Sequence, residues 1–459
     1  MNRPVAVAGT CVVLALAAVV FMLPPPTGYS PQFMHAAALC IFTIGLWALG
    51  AVPEHIVGLL LFLLAMVFAV APANVVFSGF ASGTLWLVLG GLIIGEAVNS
   101  TGLGERFARF LIGRRVLSYR SLIVLVVVAC ILLCLVMPAT VSRILLLMPI
   151  MSALAQRVGL ERGSLGYDGV ALAVMMTNYQ VGTTFLPANA PNLVLAGAAE
   201  TLYGTNFIYG EWLLVQFPVL GLLKAIAIII LVCWFFPAQT REAETQAAGK
   251  PLSAAERRLT VILLGALALW ATDFYHGIHP GWIGLGAGVA TLLPVIGVMP
   301  PTAFTDRVKF GPFFYIASIL GLGAVMVETG LSRALGEWLQ ATLQLQPERD
   351  AINFTILTLL STATGAVVTN VAQPALLAPL ASTFAEAAGW PLKAVLMTIV
   401  VGFTTAVLPF QAPPVLVGVH VSGLRLHRFL RMSVPLALVS LLLLLPLDYL
   451  WWRAIGYFG

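Results

Sequence analysis

Charge is scarce in this 459-residue chain: 23 Lys and Arg and 18 Asp and Glu make up only 9% of it, and the formal net charge is +5. So few charges exclude a solvated surface over most of the length, and with it a soluble enzyme or a nucleic-acid binder with a broad basic face. Cysteine is scarce too. Cys11, Cys40, Cys130, Cys134 and Cys233 all fall inside apolar runs, where small buried hydrophobes are expected rather than disulfides or metal ligands. No Walker sequence, Ser/His/Asp arrangement or intramembrane carboxylate pair occurs, so neither ATP drive nor catalysis has support. His276-Gly-Ile-His279 has metal-like spacing, but it lies in a short loop with Asp273 and lacks a third placed ligand.

Hydrophobic residues make up 60% of the chain, which reads as an all-α polytopic membrane protein. A span takes ~20 apolar residues, so there is room for about ten or eleven crossings plus re-entrant pieces. An outer-membrane barrel would instead alternate in short strands. Val5 to Leu23 resembles the apolar core of a signal peptide, but it is long and ends in Pro24-Pro25-Pro26 without a small-residue cleavage site. It reads as a retained first helix followed by a stiff connector.

Basic residues in such a chain report topology. With the amino terminus and Arg3 in the cytoplasm of a bacterial-type inner membrane, the loop carrying Arg106, Arg109, Arg114, Arg115 and Arg120 also lies inside, as do most of the remaining Lys and Arg. Residues 1–32 form the first helix and connector, and 33–236 a first repeat with a hairpin over about 122–156 and a broken helix over about 168–203. The polar stretch Thr240-Arg-Glu-Ala-Glu-Thr-Gln-Ala-Ala-Gly-Lys-Pro251 marks 237–256 as a cytoplasmic linker. Residues 257–459 form a second repeat, with a hairpin over about 351–388 and a broken helix over about 392–422. Trp451-Trp452 anchors the last crossing outside.

The two halves echo each other in detail. Met137-Pro-Ala-Thr-Val-Ser-Arg-Ile-Leu-Leu-Leu-Met-Pro149 and Val367-Val-Thr-Asn-Val-Ala-Gln-Pro-Ala-Leu-Leu-Ala-Pro379 are each a small polar knot between apolar arms. Ser100-Thr-Gly-Leu103 and Glu328-Thr-Gly-Leu331 each close an apolar helix and open an amphipathic segment, Glu105 to Arg115 and Ser332 to Leu343. Pro187-Ala-Asn-Ala-Pro-Asn192 answers Pro409-Phe-Gln-Ala-Pro-Pro414. Polar, Pro-containing interruptions at membrane depth persist only where they face protein or a water-filled cavity. In an inverted duplication, they point to a substrate site at the repeat interface.

On these motifs the chain resembles the divalent anion/sodium symporter family over nearly its full length. That family carries Ser-Asn-Thr at each hairpin tip and a Pro-containing break in each discontinuous helix. Here the tips read Ala139-Thr140-Val141 and Thr369-Asn370-Val371, and the breaks Ala188-Asn189-Ala190-Pro191-Asn192 and Gln411-Ala412-Pro413-Pro414-Val415. The resemblance implies about 11 transmembrane helices in two inverted repeats, transport of di- and tricarboxylates or a related divalent anion, an elevator-type mechanism and a homodimer. A distant relative sharing this layout, a sodium/proton antiporter or arsenite-type exporter, is the nearer alternative, and an intramembrane enzyme the more remote one.

Elementary chemistry says why such residues suit an anion. A broken helix presents unpaired N–H groups and roughly half a positive charge at the start of its second half. That makes Thr140, Arg143, Asn189, Pro191, Asn192, Thr369, Asn370, Ala412 and Pro413 the candidate substrate residues. Oxygens of Thr369, Asn370 and Gln411 are the candidate ligands of a sodium ion, with no other cofactor expected. Arg143 is the most unusual residue, because a charge at that depth costs ~2.5 to 3.5 kcal/mol on insertion scales. It either replaces a missing sodium as a fixed charge, grips the anion, or pairs with Glu96 or the carbonyls of the break. Lys224, mid-helix, is expected to snorkel or pair structurally.

Overall fold

Long runs without helix breakers, punctuated by Pro and Gly, fold as the sequence reading predicts. The computed structural model describes residues 3–106, 118–137, 139–241 and 251–459, all of their regular structure helical. Most of the first amphipathic segment, Pro138 at the first hairpin tip and most of the polar linker lie outside the described residues. We number the helices of eight residues or more. They begin with α1 (Arg3–Met22), α2 (Pro31–Leu49), α3 (Glu54–Val67) and α4 (Gly83–Thr101). The first hairpin is α5 (Tyr119–Val136) and α6 (Thr140–Arg157), and the first broken helix is α7 (Leu165–Met176) and α8 (Ala190–Tyr203). A π-helical turn, Phe217–Leu223, joins α9 (Tyr209–Gln216) to α10 (Lys224–Phe235).

The second half brings α11 (Ala254–Ala271), α12 (Pro280–Ala290), α13 (Gly311–Glu328) and α14 (Leu331–Leu343). Its hairpin is α15 (Asp350–Thr364), a tip with a short helix at Gln373–Leu377, and α16 (Ala381–Ala388). Its broken helix is α17 (Leu392–Phe403) and α18 (Pro413–Ser422). A second π turn, Ser440–Leu444, joins α19 (Leu426–Val439) to α20 (Leu445–Ala454). Among the described residues five stretches are long and apolar enough to cross a membrane: Pro31–Leu49, Gly83–Thr101, Tyr209–Phe235, Gly311–Glu328 and Leu426–Ala454. The hairpins and broken helices are not among these five stretches.

Apolar surface alone does not drive helix pairing in lipid, so close approach through small residues matters. Along the α4–α12 contact, Gly83, Gly90, Gly281, Gly284 and Gly288 let the two backbones touch. The hairpins pack inward: α6 lies against α7 and α18, and α15 against α17.

One carboxylate ties the end of the first broken helix to the start of α4. Glu200 accepts hydrogen bonds from Ser82 Oγ at 2.5 Å, Gly83 N at 2.7 Å, and Thr84 N and Oγ1 at 3.1 Å. A carboxylate at a helix N-terminus meets the positive end of the dipole and its unpaired N–H groups. His279 Nε2 stands 3.9 Å from the same carboxylate, and burial holds the imidazole below its ordinary pKa against the opposing pull of Glu200. A depressed histidine pKa adds stability above pH ~6.5 that is lost as pH falls through the folded-state value. Glu200→Ala should therefore lower the melting temperature of the purified protein and, by removing the charge that opposes the effect of burial on His279, steepen its acid sensitivity. A melting profile identical to that of the wild type from neutral to mildly acidic pH would remove Glu200 from this role.

Candidate functional site

A single cavity of about 740 Å³ gathers the polar knots of both halves. Thr140 from the first tip, Asn189 and Pro191 from the first break, Asn370 from the second tip, and Ala412 and Pro413 from the second break all line it. The opposite wall is α4, with Gly91, Gly95 and Glu96. Glu105, Arg307 and Lys309 also line the cavity, at the end where α4 finishes. Six of the nine substrate residues expected from the sequence thus meet in one place. Arg143, Asn192 and Thr369 are not part of its wall.

The two breaks are unequal. Both second halves start without a side-chain cap, at Asn189 for α8 and Ala412 for α18. In α8 the first turn keeps the N–H groups of Ala190 and Asn192, flanking a single Pro191. In α18 the first two positions are Pro413 and Pro414, which carry no N–H. The second break therefore offers the end of a helix dipole with almost no donors, and the first is the better anion cradle.

Behind the first cradle lies Arg143, fully buried. Its Nε donates to Asn178 Oδ1 at 3.1 Å, and its Nη2 to Thr140 Oγ1 and Asn178 O at 3.1 Å and to Ala188 O at 2.9 Å. Nη1 donates to Met137 O. Every bond goes to the hairpin tip or to carbonyl-rich parts of the break, and none to Glu96, which stands on the far wall. Of the arrangements open from sequence, hydrogen bonding to the carbonyls of the break is the one observed, and Arg143 stands behind the cavity wall rather than in it. A guanidinium held this way is a permanent positive charge between hairpin tip and broken helix.

The second half solves the same problem with neutral groups. Gln411 Oε1 accepts from Val407 N and Leu408 N at 2.7 Å, and its Nε2 donates to Gly365 O at 2.8 Å. Asn370 N donates to Gln411 O at 2.7 Å, and Asn370 Nδ2 to Phe403 O at 2.9 Å and to the Tyr179 hydroxyl. A hard cation wants oxygens turned toward it. Here the Gln411 side-chain oxygen is taken by backbone donors, and N–H groups already point at Gly365 O and Phe403 O. Asn370 and Gln411 do come together as the sequence suggests, joined by the Asn370 N to Gln411 O hydrogen bond.

Several residues that build the site escaped the sequence reading. Tyr179 OH reaches Phe403 O at 3.3 Å, Gln180 Nε2 reaches Ala406 O at 3.3 Å, and Thr404 Oγ1 donates to Gln180 O at 3.0 Å. Thr183 and Thr404 hydroxyls meet as well. These bonds stitch the first broken helix to the second across the repeats. The signal was there in Thr177-Asn-Tyr-Gln180, a polar run inside an otherwise apolar helix. Asn192, one of the expected substrate residues, instead ties its Nδ2 to Thr183 O and Phe185 O at 2.9 Å and shapes the break from within. Lys224 is buried and donates to Thr404 O at 3.4 Å, so it is held structurally rather than snorkelling. Among the described residues no group of three His, Cys, Asp or Glu side chains is placed to hold a metal.

Comparison with known proteins agrees with this geometry. Residues 5–458 match the family described as the sodium:sulfate symporter transmembrane region. A membrane protein of Cupriavidus necator is 25% identical over 98% of this chain and 93% of its own length. An L-tartrate/succinate antiporter of Escherichia coli strain K12 is 24% identical over 58% of this chain, and the match spans 57% of that antiporter. The crystal structure of the Alcanivorax borkumensis YdaH transporter superposes with a TM-score of 0.58 at 16% identity, covering 99% of this chain and 98% of that one, which shows a shared fold. With its paired hairpins and paired helix breaks around one cavity, the chain belongs to the sodium:sulfate symporter family, the divalent anion/sodium symporters, and is a multi-pass membrane transporter of anions.

Proposed function

We propose that the chain exchanges dicarboxylates, or a chemically related divalent oxyanion, across the inner membrane without sodium, by elevator-type alternating access and as a homodimer. The observation that carries this reading is Arg143: a fixed guanidinium fills the first tip, and the second tip is closed by the amides of Asn370 and Gln411. A symporter brings positive charge to its anion by binding cations, whereas a built-in charge serves an exchanger, which needs only that one anion replace another. The antiporter function named for the Escherichia coli relative supports the same reading. The cavity residues Glu105, Arg307 and Lys309 lie on segments whose basic flanks assign them to the cytoplasm, so this conformation is read as facing inward.

Radiolabelled succinate uptake into proteoliposomes tests the proposal. Vesicles preloaded with L-tartrate or succinate should accumulate label, empty vesicles should not, and replacing sodium by choline should leave the rate unchanged. Uptake into empty vesicles that requires sodium would reverse the assignment to a symporter of reduced stoichiometry. Absence of exchange across di- and tricarboxylates and sulfate, with drive of another ion by a sodium or proton gradient, would favour the cation antiporter alternative. Chemical conversion of the added anion, rather than its accumulation, would point to an intramembrane enzyme.

A further inference from the structure

Lys224 and Asp448 are buried ionisable residues on neighbouring segments that the anion cavity does not use. Lys224 opens α10 directly after one π turn, and Asp448 lies in the first turn of α20 directly after the other. Single π turns inside helices are frequent at functional positions. Both side chains are 0% exposed, within the two longest membrane-crossing stretches among the described residues. Neither carboxylate oxygen of Asp448 has a hydrogen-bond partner. The two residues act on each other electrostatically, but Lys224 spends its hydrogen bond elsewhere, on Thr404 O at 3.4 Å.

The neighbours of the pair leave it isolated. Tyr119, Arg120, Cys130 and Cys134 on α5, Asp168 and Tyr179 on the first broken helix, His427, Arg428 and Arg431 on α19, and Asp350 on α15 belong to elements packed against it. Among the described residues none of them, nor Tyr449 or Arg453 on α20 itself, hydrogen-bonds to Lys224 or Asp448. A carboxylate without a single hydrogen bond in hydrocarbon is a costly charge to keep, and taking up a proton removes that cost.

We propose that Asp448 and Lys224 form a proton-binding site coupled to the anion cavity. Asp448 takes a proton from water, an Oδ–H bond forms as a bond of the hydronium donor breaks, and the pair gains one positive charge; the reverse step returns the proton to water. With Asp448 ionised, the Lys224 ammonium is neutralised by it. With Asp448 protonated, the ammonium keeps its hold on Thr404 O at the end of the first half of the second broken helix. Its charge then faces the break, one residue from the Phe403 carbonyl that Asn370 of the cavity wall grips. Proton and di-anion therefore favour each other's binding, and by reciprocity the anion binds more tightly as pH falls.

The inference rests on the dicarboxylate reading only for its probe. Succinate binding to the purified full-length protein would be measured at about pH 7 and about pH 8.5, a range in which the ligand itself stays a di-anion. Wild-type affinity should be about five- to tenfold higher at the lower pH, within the usual span of coupling between sites. Asp448→Asn, fixed in the neutral form, should bind tightly at both pH values, and Lys224→Gln weakly at both. Infrared difference spectra of the ligand-free protein supply a readout that needs no substrate: a protonated-carboxyl band should rise on acidification in the wild type and vanish in Asp448→Asn. A wild type with pH-independent affinity and no such band would overturn the site. The band without succinate binding at any pH would leave the site standing and reject the dicarboxylate reading.

Discussion

Arg143→Ala is expected to abolish dicarboxylate exchange and to lower the melting temperature of the purified transporter markedly. The guanidinium satisfies the carbonyls of Met137, Asn178 and Ala188 and the side chain of Asn178, all in a buried setting. A buried polar group left without its partner costs about 1–3 kcal/mol, and more when the missing partner was charged, so the variant stands to lose several kcal/mol. Arg143→Lys keeps the charge but not the planar fork, and should recover only part of both stability and exchange. Removing the side chain also opens a ring of oxygens, so sodium should raise the melting temperature of the Ala variant and leave the wild type unmoved. A normal succinate-induced thermal shift in Arg143→Ala would show that the anion does not depend on this charge.

Gly90→Ala should be nearly as damaging, for steric reasons alone. A methyl group at Gly90 would stand 2.6 Å from Leu285 N and closer still to the Gly284 carbonyl, backbone atoms that cannot swing aside. Overpacking of this kind typically costs about 1–3 kcal/mol. In lipid the loss falls on the α4–α12 contact, where close approach supplies the attraction. The expected result is a lower melting temperature whether or not anion is present. Gly95→Ala on the same helix meets no atom within 4 Å and serves as the control; equal destabilisation by both would show that the glycine packing is not what holds the two helices together.

The recurring order of helix, hairpin and broken helix was legible because Pro and Gly punctuate apolar runs in the same order twice. The cavity was legible for a related reason, since polar residues at membrane depth have few places to go. What could not be read was where irregular backbone begins. The sequence marks the first break at Pro187 to Pro191, but the chain leaves regular α-helix at Thr177 with a π turn. That earlier distortion accompanies the Asn178 carbonyl and side chain turned toward Arg143, a contact spanning 35 residues that local propensity does not encode. The exclusion of Arg143 from the cavity wall has the same origin. A charged residue beside a tip looks like a ligand group until its five hydrogen bonds are counted against partners from three segments. Pro413-Pro414 is the opposite case: the loss of both N–H groups is plain in the sequence, and only the paired geometry shows that it makes the two helix ends unequal.

The seam between the broken helices limits how the carrier can be stopped. Prising them apart would strand Tyr179, Gln180, Asn370 and Thr404 in hydrocarbon, where an unpaired polar group costs several kcal/mol. The rest of the cavity wall is shared by the first hairpin and α4, with Leu145 and Leu146 from the one and Gly91 and Gly95 from the other. A blocker need not imitate the cargo at all. A small apolar molecule wedged between those glycines and leucines would jam the movement while the anion cradle stayed filled, and its inhibition would be noncompetitive, undiminished by saturating substrate.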